Sequence, residues 1–329
     1  MKDALVIGGV TIGGRVLLAP MTGVSDLPYR RAASRLGAPY VATEMVACEL
    51  LANGRPDVVR RAAVGEGLPL TVIQLVGRRA DWMAKGAAMA EAAGADIIDI
   101  NMGCPAKDVT GGLSGSALMR DLDLAERLIA ATIGATKRPV TLKMRLGWDD
   151  ASKNAPELAA RAEALGVQAI TVHGRTRQQF YNGRADWRAV ADVKSAVRVP
   201  VIVNGDIVDA VSTREALTQS GADAVMIGRG AYGRPWLGRA MMDGRDEPGL
   251  EARHRIVLEH FRDSLSFYGD RLGVKIFRKH LGWYIEQAPY PASALERREA
   301  KSRLCRMTEP REIEAALTSL WRQDMALAA

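Results

Sequence analysis

The chain has 329 residues, 48% hydrophobic and 25% charged, a balance typical of a soluble globular protein rather than a disordered one. Its net charge of +7 suits a polyanionic partner such as RNA but is also common without one. Three widely spaced cysteines argue against a disulfide framework, and the chain has no C-x₂-C pair typical of zinc or iron–sulfur sites. Because no apolar run is long enough for a signal peptide or a membrane span, we predict a cytoplasmic protein without a membrane or metal partner.

The chain opens with a hairpin pattern around Gly8 and Gly9, and eight short runs rich in β-branched residues follow. These runs suit buried parallel strands and occupy 16–18, 40–42, 70–73, 97–100, 140–144, 169–172, 201–203 and 224–227. Segments of helical spacing lie between them, at 81–93, 122–135, 156–165 and 208–219. Several of the helical segments end at a glycine, the residue that most readily closes a last turn. The rhythm predicts an α/β fold, a (β/α)₈ TIM barrel, although an open doubly wound sheet gives the same local pattern.

A polar, turn-forming stretch at 243–249 ends the strand pattern, and helical periodicity alone continues beyond it. We therefore predict a barrel domain over 1–243 and an all-helical C-terminal domain over 244–329.

Polar or small residues follow the predicted strands at their carboxyl ends. They are Pro20 and Met21, Glu44, Gln74, Asn101 and Cys104, Lys143 and Arg145, His173, Asn204 with Gly205 and Asp206, and Gly228 with Arg229. A barrel enzyme builds its active site at this end of the strands, so we expect these residues to line one pocket. Glycine beside Asp206 and Arg229 after the last two strands favours a phosphate site there. The sequence contains neither a Rossmann fingerprint nor a P-loop, which favours a phosphorylated cofactor across the barrel mouth.

Four motifs in combination carry a family resemblance. They are LAPMTGVSD at 18–26, NMGCP at 101–105, VHGRT at 172–176 and VNGDI at 203–207. The chain resembles the tRNA-dihydrouridine synthase family over nearly its whole length, and its bacterial B-type branch above all. The resemblance implies an enzyme that reduces the C5=C6 bond of tRNA uridines with FMN and NADPH or NADH.

The resemblance also assigns roles to the strand-end residues. Pro20, Met21 and Thr22 would pack beside the isoalloxazine ring, Gln74 would hydrogen-bond its polar edge, and Lys143 would stabilise the reduced anion. The ribityl chain and phosphate would be held by His173, Asn204, Gly205, Asp206, Gly228 and Arg229. Cys104 would donate the proton to C5, since we expect a thiol pKa near neutrality and a mobile glycine-rich segment over 106–116.

A tRNA partner is predicted from basic residues of the helical tail and the barrel mouth. On the tail, Arg271, Lys275, Arg278 and Lys279 place several cations on one helix face. At the mouth, the expected substrate and phosphate contacts are Asn101, Lys107, Arg145, Arg175 and Arg177. The B-type resemblance suggests position 17 of the D-loop as the target, and we assume a monomer.

Other functions compete with this interpretation. A small-molecule FMN barrel, such as a dihydropyrimidine or dihydroorotate dehydrogenase, would share the barrel, the lysine and the acid but would not need the basic tail. A non-catalytic RNA-binding barrel would have lost strand-end groups, yet Cys104, Lys143 and His173 are all present. The catalytic pattern of an aldolase or isomerase barrel cannot be assembled from this sequence.

Overall fold

The computed structural model describes residues 3–65, 67–244, 246–288 and 293–327. The chain opens, as predicted, with an antiparallel hairpin of β1 (Leu5–Ile7) and β2 (Val10–Ile12). The buried side chains of this hairpin join the barrel core, and its turn at Gly8 lies against Pro139, just before a barrel strand. The hairpin therefore covers the amino-terminal end of the barrel.

Eight parallel strands form the main sheet, in the order β3-β10-β9-β8-β7-β6-β5-β4. They are β3 (Val16–Leu18), β4 (Val46–Ala47), β5 (Val72–Val76), β6 (Ile97–Met102), β7 (Val140–Arg145), β8 (Ala169–His173), β9 (Val201–Asn204) and β10 (Ala224–Ile227). Isolated parallel bridges from Leu18 to Val41 and from Ala42 to Val72 connect β3 to β5. The ring of strands is thus continuous, and the predicted TIM barrel is confirmed.

The second predicted strand, at 40–42, is reduced to those two bridges, and β4 lies farther along the chain. The Thr43 hydroxyl explains the difference. Its Oγ1 accepts the backbone N–H of Gln74 at 3.0 Å and donates to the carbonyl of Glu44 at 2.8 Å. A side chain therefore takes the place of a backbone partner, and the regular ladder stops there.

Helices cover the outside of the barrel. They are α1 (Leu27–Arg35), α2 (Cys48–Ala52), α3 (Pro56–Arg61), α4 (Ala80–Ala92), α5 (Lys107–Gly111), α6 (Leu122–Gly134), α7 (Ala155–Leu165), α8 (Arg188–Ala196), α9 (Ala210–Ser220) and α10 (Leu237–Asp243). The predicted helical segments are found within two residues of their expected bounds. Gly166 and Gly221 adopt the left-handed conformation at the ends of α7 and α9, as expected of helix stops.

Four further helices follow the barrel: α11 (Leu250–Tyr268), α12 (Asp270–Glu286), α13 (Ala294–Leu304) and α14 (Pro310–Leu327). They enclose a hydrophobic cluster of their own, which includes Phe261, Phe277 and Leu317 and also Trp236 from the segment before α10. The domain division at 243/244 stays a prediction, and α10 ends at Asp243. Within the described ranges, no helix combines the length and apolarity required to cross a membrane.

Candidate functional site at the barrel mouth

A cavity of about 760 Å³, here called the mouth cavity, opens at the carboxyl end of the barrel strands. The predicted site residues that line it are Pro20, Met21, Thr22, Gln74, Asn101, Cys104, Lys143, Arg145, His173, Arg175, Asn204, Gly205, Asp206, Gly228 and Arg229. Parallel strands end at the same edge of the barrel, so residues far apart in sequence meet here. The volume lies within the range of cofactor and small-ligand sites.

A chain of side-chain amides crosses the floor of the mouth cavity. Gln74 donates through Nε2 to Asp99 Oδ2 at 2.6 Å and accepts from Asn101 Nδ2 at 2.7 Å. Asn101 Oδ1 in turn accepts the backbone N–H groups of Gly103 at 3.1 Å and Cys104 at 2.9 Å. The chain fixes the orientation of both amides and connects β5 to the segment that carries Cys104.

Lys143 extends from β7 into the mouth cavity and donates through Nζ to Asn204 Oδ1 at 3.1 Å. Asn204 is itself oriented by a 2.7 Å bond from Nδ2 to the carbonyl of Met226. Burial lowers the pKa of Lys143, although the nearby charge of Asp99 opposes that effect. The ammonium is therefore a buried cation that an anionic ligand in the cavity would stabilise.

Cys104 lies at the cavity wall with its backbone held on both sides. Its carbonyl accepts from the Ser116 hydroxyl at 2.8 Å and from the Ser116 N–H at 3.0 Å. Burial raises the pKa of the Cys104 thiol, with smaller opposing effects from Arg145 and Lys143. The expectation of a pKa near neutrality is therefore wrong, because burial of the thiol disfavours the charged thiolate. The thiol stays protonated at neutral pH.

The segment that follows Cys104 is more regular than the sequence suggested. Residues 106–116 were expected to form a glycine-rich loop, but they contain α5 and the start of a 3₁₀ helix over Gly115–Arg120. Thr110 within α5 accepts a long 3.4 Å hydrogen bond from Arg177. Two polar contacts therefore hold the segment: Ser116 at its end donates to the Cys104 carbonyl, and Arg177 from the loop after β8 donates to Thr110.

His173, Arg145 and Arg175 form a cluster beneath one side of the cavity. Arg145 donates to the carbonyls of Gly103, Thr176 and Phe180 at 2.8–2.9 Å. Burial and the surrounding cations lower the pKa of His173 well below its ordinary value, so its imidazole is neutral at pH 7. His173 Nε2 lies 3.2 Å from Arg175 Nη1, which can only donate, so in the neutral ring Nε2 accepts and the Nδ1–H is the group left to bond a ligand.

Arg175 is buried, although the sequence predicts it to be a contact to tRNA phosphate. Its side chain is 2% exposed and pairs with Asp206 Oδ2 at 2.6 Å. It also donates to the carbonyls of Asn182 at 3.0 Å and Gly183 at 2.7 Å. Because its donors are used to hold the loop after β8, Arg175 is a structural support of the site rather than a surface cation.

Arg229 is half-exposed at the cavity edge, 3.7 Å from Asp206 Oδ1. The backbone at Gly228 faces open space, because a Cβ built on this residue would meet no atom within 4 Å. A phosphate group prefers close approach of the backbone and a bidentate guanidinium. Gly228, Arg229 and the neutral His173 together provide such a site. The donor set of this structure is therefore compatible with a phosphorylated cofactor.

Several lining residues were not predicted from the sequence: Met45, Phe180, Tyr181, Tyr232, Arg234 and Gln287. Two guanidiniums lie near the Tyr181 ring. The distance to the ring centre is 5.4 Å from the guanidinium of Arg145 and 4.8 Å from the guanidinium of Arg229. Two adjacent aromatic residues in an otherwise polar loop, Phe180 and Tyr181, were a usable signal. Gln287 follows α12, and no local pattern could have placed it at the barrel mouth.

The remaining predicted contacts lie outside the mouth cavity. Lys107 is exposed in the first turn of α5, and Arg177 is partly buried against Trp148, 4.7 Å from its ring centre. On α12, Arg271 and Lys275 are exposed, whereas Arg278 and Lys279 are partly buried. Arg278 donates to the carbonyl of Met307 at 3.4 Å.

A buried polar group lies between α1 and the C-terminal helices. Asp26, His260 and His280 each offer one ligand atom, all within 4.8 Å of one another. Asp26 caps α1 and accepts from Tyr268, and His260 shares a 3.0 Å hydrogen bond with Tyr284. The positive charge of Lys279 acts on Asp26, which disfavours a further cation there. The expectation that no metal is bound stays a prediction.

Comparisons with known proteins agree with this geometry. The dihydrouridine synthase family model matches residues 17–320. A probable tRNA-dihydrouridine synthase of Rhodobacter capsulatus is 52% identical, covering 94% of this chain and 96% of the relative. The tRNA-dihydrouridine synthase B of Pseudomonas putida is 44% identical, covering 87% of each chain.

Two solved structures show the same barrel at low sequence identity. Morphinone reductase is 14% identical and superposes with a TM-score of 0.54, covering 75% of this chain and 90% of its own. Histamine dehydrogenase from Rhizobium sp. 4-9 is 15% identical, with a TM-score of 0.56, covering 80% of this chain and 50% of its own. At such identities the likeness shows the fold alone.

Proposed function

Because this chain belongs to the tRNA-dihydrouridine synthase family, we propose that it reduces the C5=C6 bond of uridine in tRNA, with bound FMN and with NADPH or NADH as electron donor. The observation that carries the proposal is a single cavity lined by both Lys143 and Cys104. A buried cation and a protonated thiol are the two groups that such a reduction requires of the protein.

The residues of the mouth cavity are suited to hold FMN. Bound FMN would supply the hydride for C6 of the uracil. Lys143 would stabilise negative charge on the reduced ring, and Gln74 keeps one Nε2 hydrogen for the ring edge beyond its bond to Asp99. Pro20, Met21 and Thr22 would pack beside the ring. The ribityl chain and phosphate would lie against His173, Asn204, Gly205, Asp206, Gly228 and Arg229, with Asp206 acting by orienting Arg229.

Cys104 would deliver the proton to C5 from its Sγ. Burial raises the pKa of its thiol, so the proton-bearing form dominates at neutral pH. Hydrogen bonds from the Cys104 N–H to Asn101 and from Ser116 to the Cys104 carbonyl would hold the thiol toward the bound uracil. Partial exposure to the cavity lets solvent reprotonate it between turnovers.

The substrate enters as part of a folded RNA, so the target uridine must leave its stack to reach the cavity. Exposed cations on α12, Arg271 and Lys275, would contact phosphates of the same tRNA. Lys107 lies beside the cavity mouth and would do the same there. We propose uridine 17 as the target from the B-type resemblance, and a monomeric cytoplasmic enzyme.

The proposal is tested with the FMN-loaded protein, NADPH and tRNA that lacks dihydrouridine, by nucleoside mass spectrometry. We expect dihydrouridine from the wild type and from Cys305→Ala, a thiol on the C-terminal helices, and almost none from Cys104→Ala. Mapping of RNase fragments would locate the modified position. If the FMN-loaded wild type makes no dihydrouridine, the tRNA substrate is wrong, and a small-molecule FMN reductase becomes the better interpretation.

A further inference from the structure

A second cavity, of about 320 Å³, adjoins the mouth cavity and is called here the side cavity. Met45 lines both, so the two cavities meet at this side chain. One wall of the side cavity is basic and aromatic and consists of Arg61, Arg78, Arg79 and Trp82. Its size reaches the lower end of the range found for small-ligand sites.

The opposite wall belongs to the segment that carries Cys104. Residues 104–106 line the mouth cavity, and Asp108 and Val109, a few residues later in α5, line the side cavity. A ligand in the side cavity would therefore contact the same short segment that positions the proposed acid.

The side cavity presents one candidate anion contact, Arg78, beside the planar ring of Trp82. Arg78 is exposed, and among the described residues no hydrogen bond or ion pair engages its side chain. Arg79 and Arg61 pair with Asp81 and Asp57. The carboxylates of Glu49 and Asp108 also line the cavity. Of the three arginines on this wall, Arg78 is therefore the one without an ion pair among the described residues.

Trp82 supplies the planar surface. The guanidinium of Arg79 lies 5.8 Å from the centre of its ring and the ammonium of Lys85 lies 5.4 Å from it. Its indole Nε1 is shielded from solvent and finds no hydrogen-bond partner in the described part of the chain. An aromatic face beside cations is the arrangement on which proteins stack single-stranded bases.

We propose that the side cavity binds the nucleotide next to the reacting uridine in the tRNA strand, with a phosphate on Arg78 and the base beside Trp82. The inference rests on the proposed function. The neighbouring nucleotide is covalently joined to the uridine in the mouth cavity, so it must lie directly beside that cavity. The side cavity meets this condition through Met45. NADPH also carries phosphates, and the test must separate the two sources.

The test compares Arg78→Ala and Trp82→Leu with Arg198→Ala, all FMN-loaded. Arg198 is also an exposed arginine but precedes β9 at the opposite end of the barrel. We expect Arg78→Ala to weaken tRNA binding about three- to tenfold and to lower the slope of log K against log salt by about 0.7, the value for a phosphate of a single strand. Trp82→Leu should weaken it about tenfold. Arg198→Ala should bind like the wild type, and the rate of FMN reduction by NADPH without tRNA should be equal in all four proteins.

Two results would overturn the proposal. Unchanged tRNA affinity with slower FMN reduction by NADPH would assign the side cavity to the dinucleotide. Unchanged affinity and unchanged reduction would show that it binds neither. Because Trp82 is partly buried, FMN content and thermal midpoint are measured for each variant, and Arg78→Ala decides alone if Trp82→Leu unfolds. Failure of the wild type to form dihydrouridine would instead count against the proposed function.

Discussion

Asn101 Oδ1 accepts the backbone N–H of Cys104 at 2.9 Å, while the Nδ2 of the same side chain donates to Gln74 at 2.7 Å. One side chain therefore joins the proposed acid to a residue of the proposed flavin site. We expect Asn101→Ala to lower kcat for dihydrouridine formation about 10²-fold, because a misplaced acid loses the reacting geometry. Asn53→Ala, an exposed position after α2, should match the wild type. Full kcat in Asn101→Ala would show that Ser116 suffices to hold the segment.

The pH dependence of flavin reduction should report on Lys143. Its pKa is lowered to about 8 by burial, so the ammonium is present below that pH and lost as pH rises through it. We expect the rate of FMN reduction by NADPH, followed by flavin absorbance, to fall at high pH in the wild type, with a midpoint of about 8 or higher because a bound anion stabilises the ammonium. Lys143→Arg keeps a charge to higher pH and should shift the fall upward.

Lys143→Met is the matched neutral variant for that experiment. It should reduce FMN slowly at every pH, with no inflection near 8, since no ammonium is present to stabilise the reduced ring. A wild-type rate that is flat from pH 7 to 10, or an inflection that persists in Lys143→Met, would assign the ionisation to another group.

We expect Arg175 to contribute more to the free energy of unfolding than Arg161, although Arg161 forms more ion pairs. Its side chain is buried against Asp206 and two loop carbonyls, so Arg175→Ala leaves the two carbonyls without their donor and removes the shortest ion pair of Asp206. We expect a loss of about 3–5 kcal/mol in the free energy of unfolding, measured with urea. Arg161 pairs with Asp123, Glu126 and Glu157 at the surface, and Arg161→Ala should have a far smaller effect. Equal losses would contradict this assignment.

Much of the barrel and its mouth could be predicted because the signals are local. β-Branched runs marked the strands. The polar residues predicted at the strand ends line one cavity, apart from Glu44, since parallel strands deliver their carboxyl ends to one edge. Cys104, Lys143 and His173 needed no long-range information beyond that rule. Their chemical roles remain predictions.

What could not be predicted depends on contacts between distant segments. The Thr43 hydroxyl ends the second strand by bonding to Gln74, a partner 31 residues away. From the sequence alone, Arg175 is predicted to be a free surface cation. Its ion pair with Asp206 in the structure shows instead that it supports the loop after β8. The same holds for Gln287, which follows α12, a helix that packs against Tyr232 and Gly233 in the segment after β10.

The contact between Gly233 and α12 should be intolerant of a side chain. Gly233 has φ +67°, and a Cβ there would lie 2.5 Å from the carbonyl oxygen of Trp283, next to the Tyr232–Trp283 ring stack at 4.0 Å. We expect Gly233→Ala to lower the thermal midpoint and to weaken tRNA binding by displacing α12. Gly221→Ala has a similar φ of +62° but open space, so it should cost only about 1 kcal/mol of backbone strain. Equal midpoints for the two variants would refute the clash.

Lys275 and Lys279 lie one turn apart on α12, yet we expect them to affect different ligands. Lys275 is exposed, so Lys275→Ala should weaken tRNA binding about three- to tenfold and lower the salt slope by about 0.9, with FMN affinity unchanged. Lys279 is partly buried, and a Cβ on Gly23 would come within 2.9 Å of its Nζ. Its charge also acts on Asp26, whose pKa burial raises to about 6.

Loss of Lys279 should therefore disturb the segment after β3, which lines the mouth cavity at Met21 and Thr22. We expect Lys279→Ala to weaken FMN binding, measured by the change in flavin fluorescence on titration, and to leave tRNA affinity within twofold. Lys279→Arg should restore FMN binding in part, because a cation again faces Asp26. If Lys279→Ala instead loses tRNA affinity and keeps FMN, both lysines are RNA contacts, and α12 meets tRNA along a broader face than its exposed residues indicate.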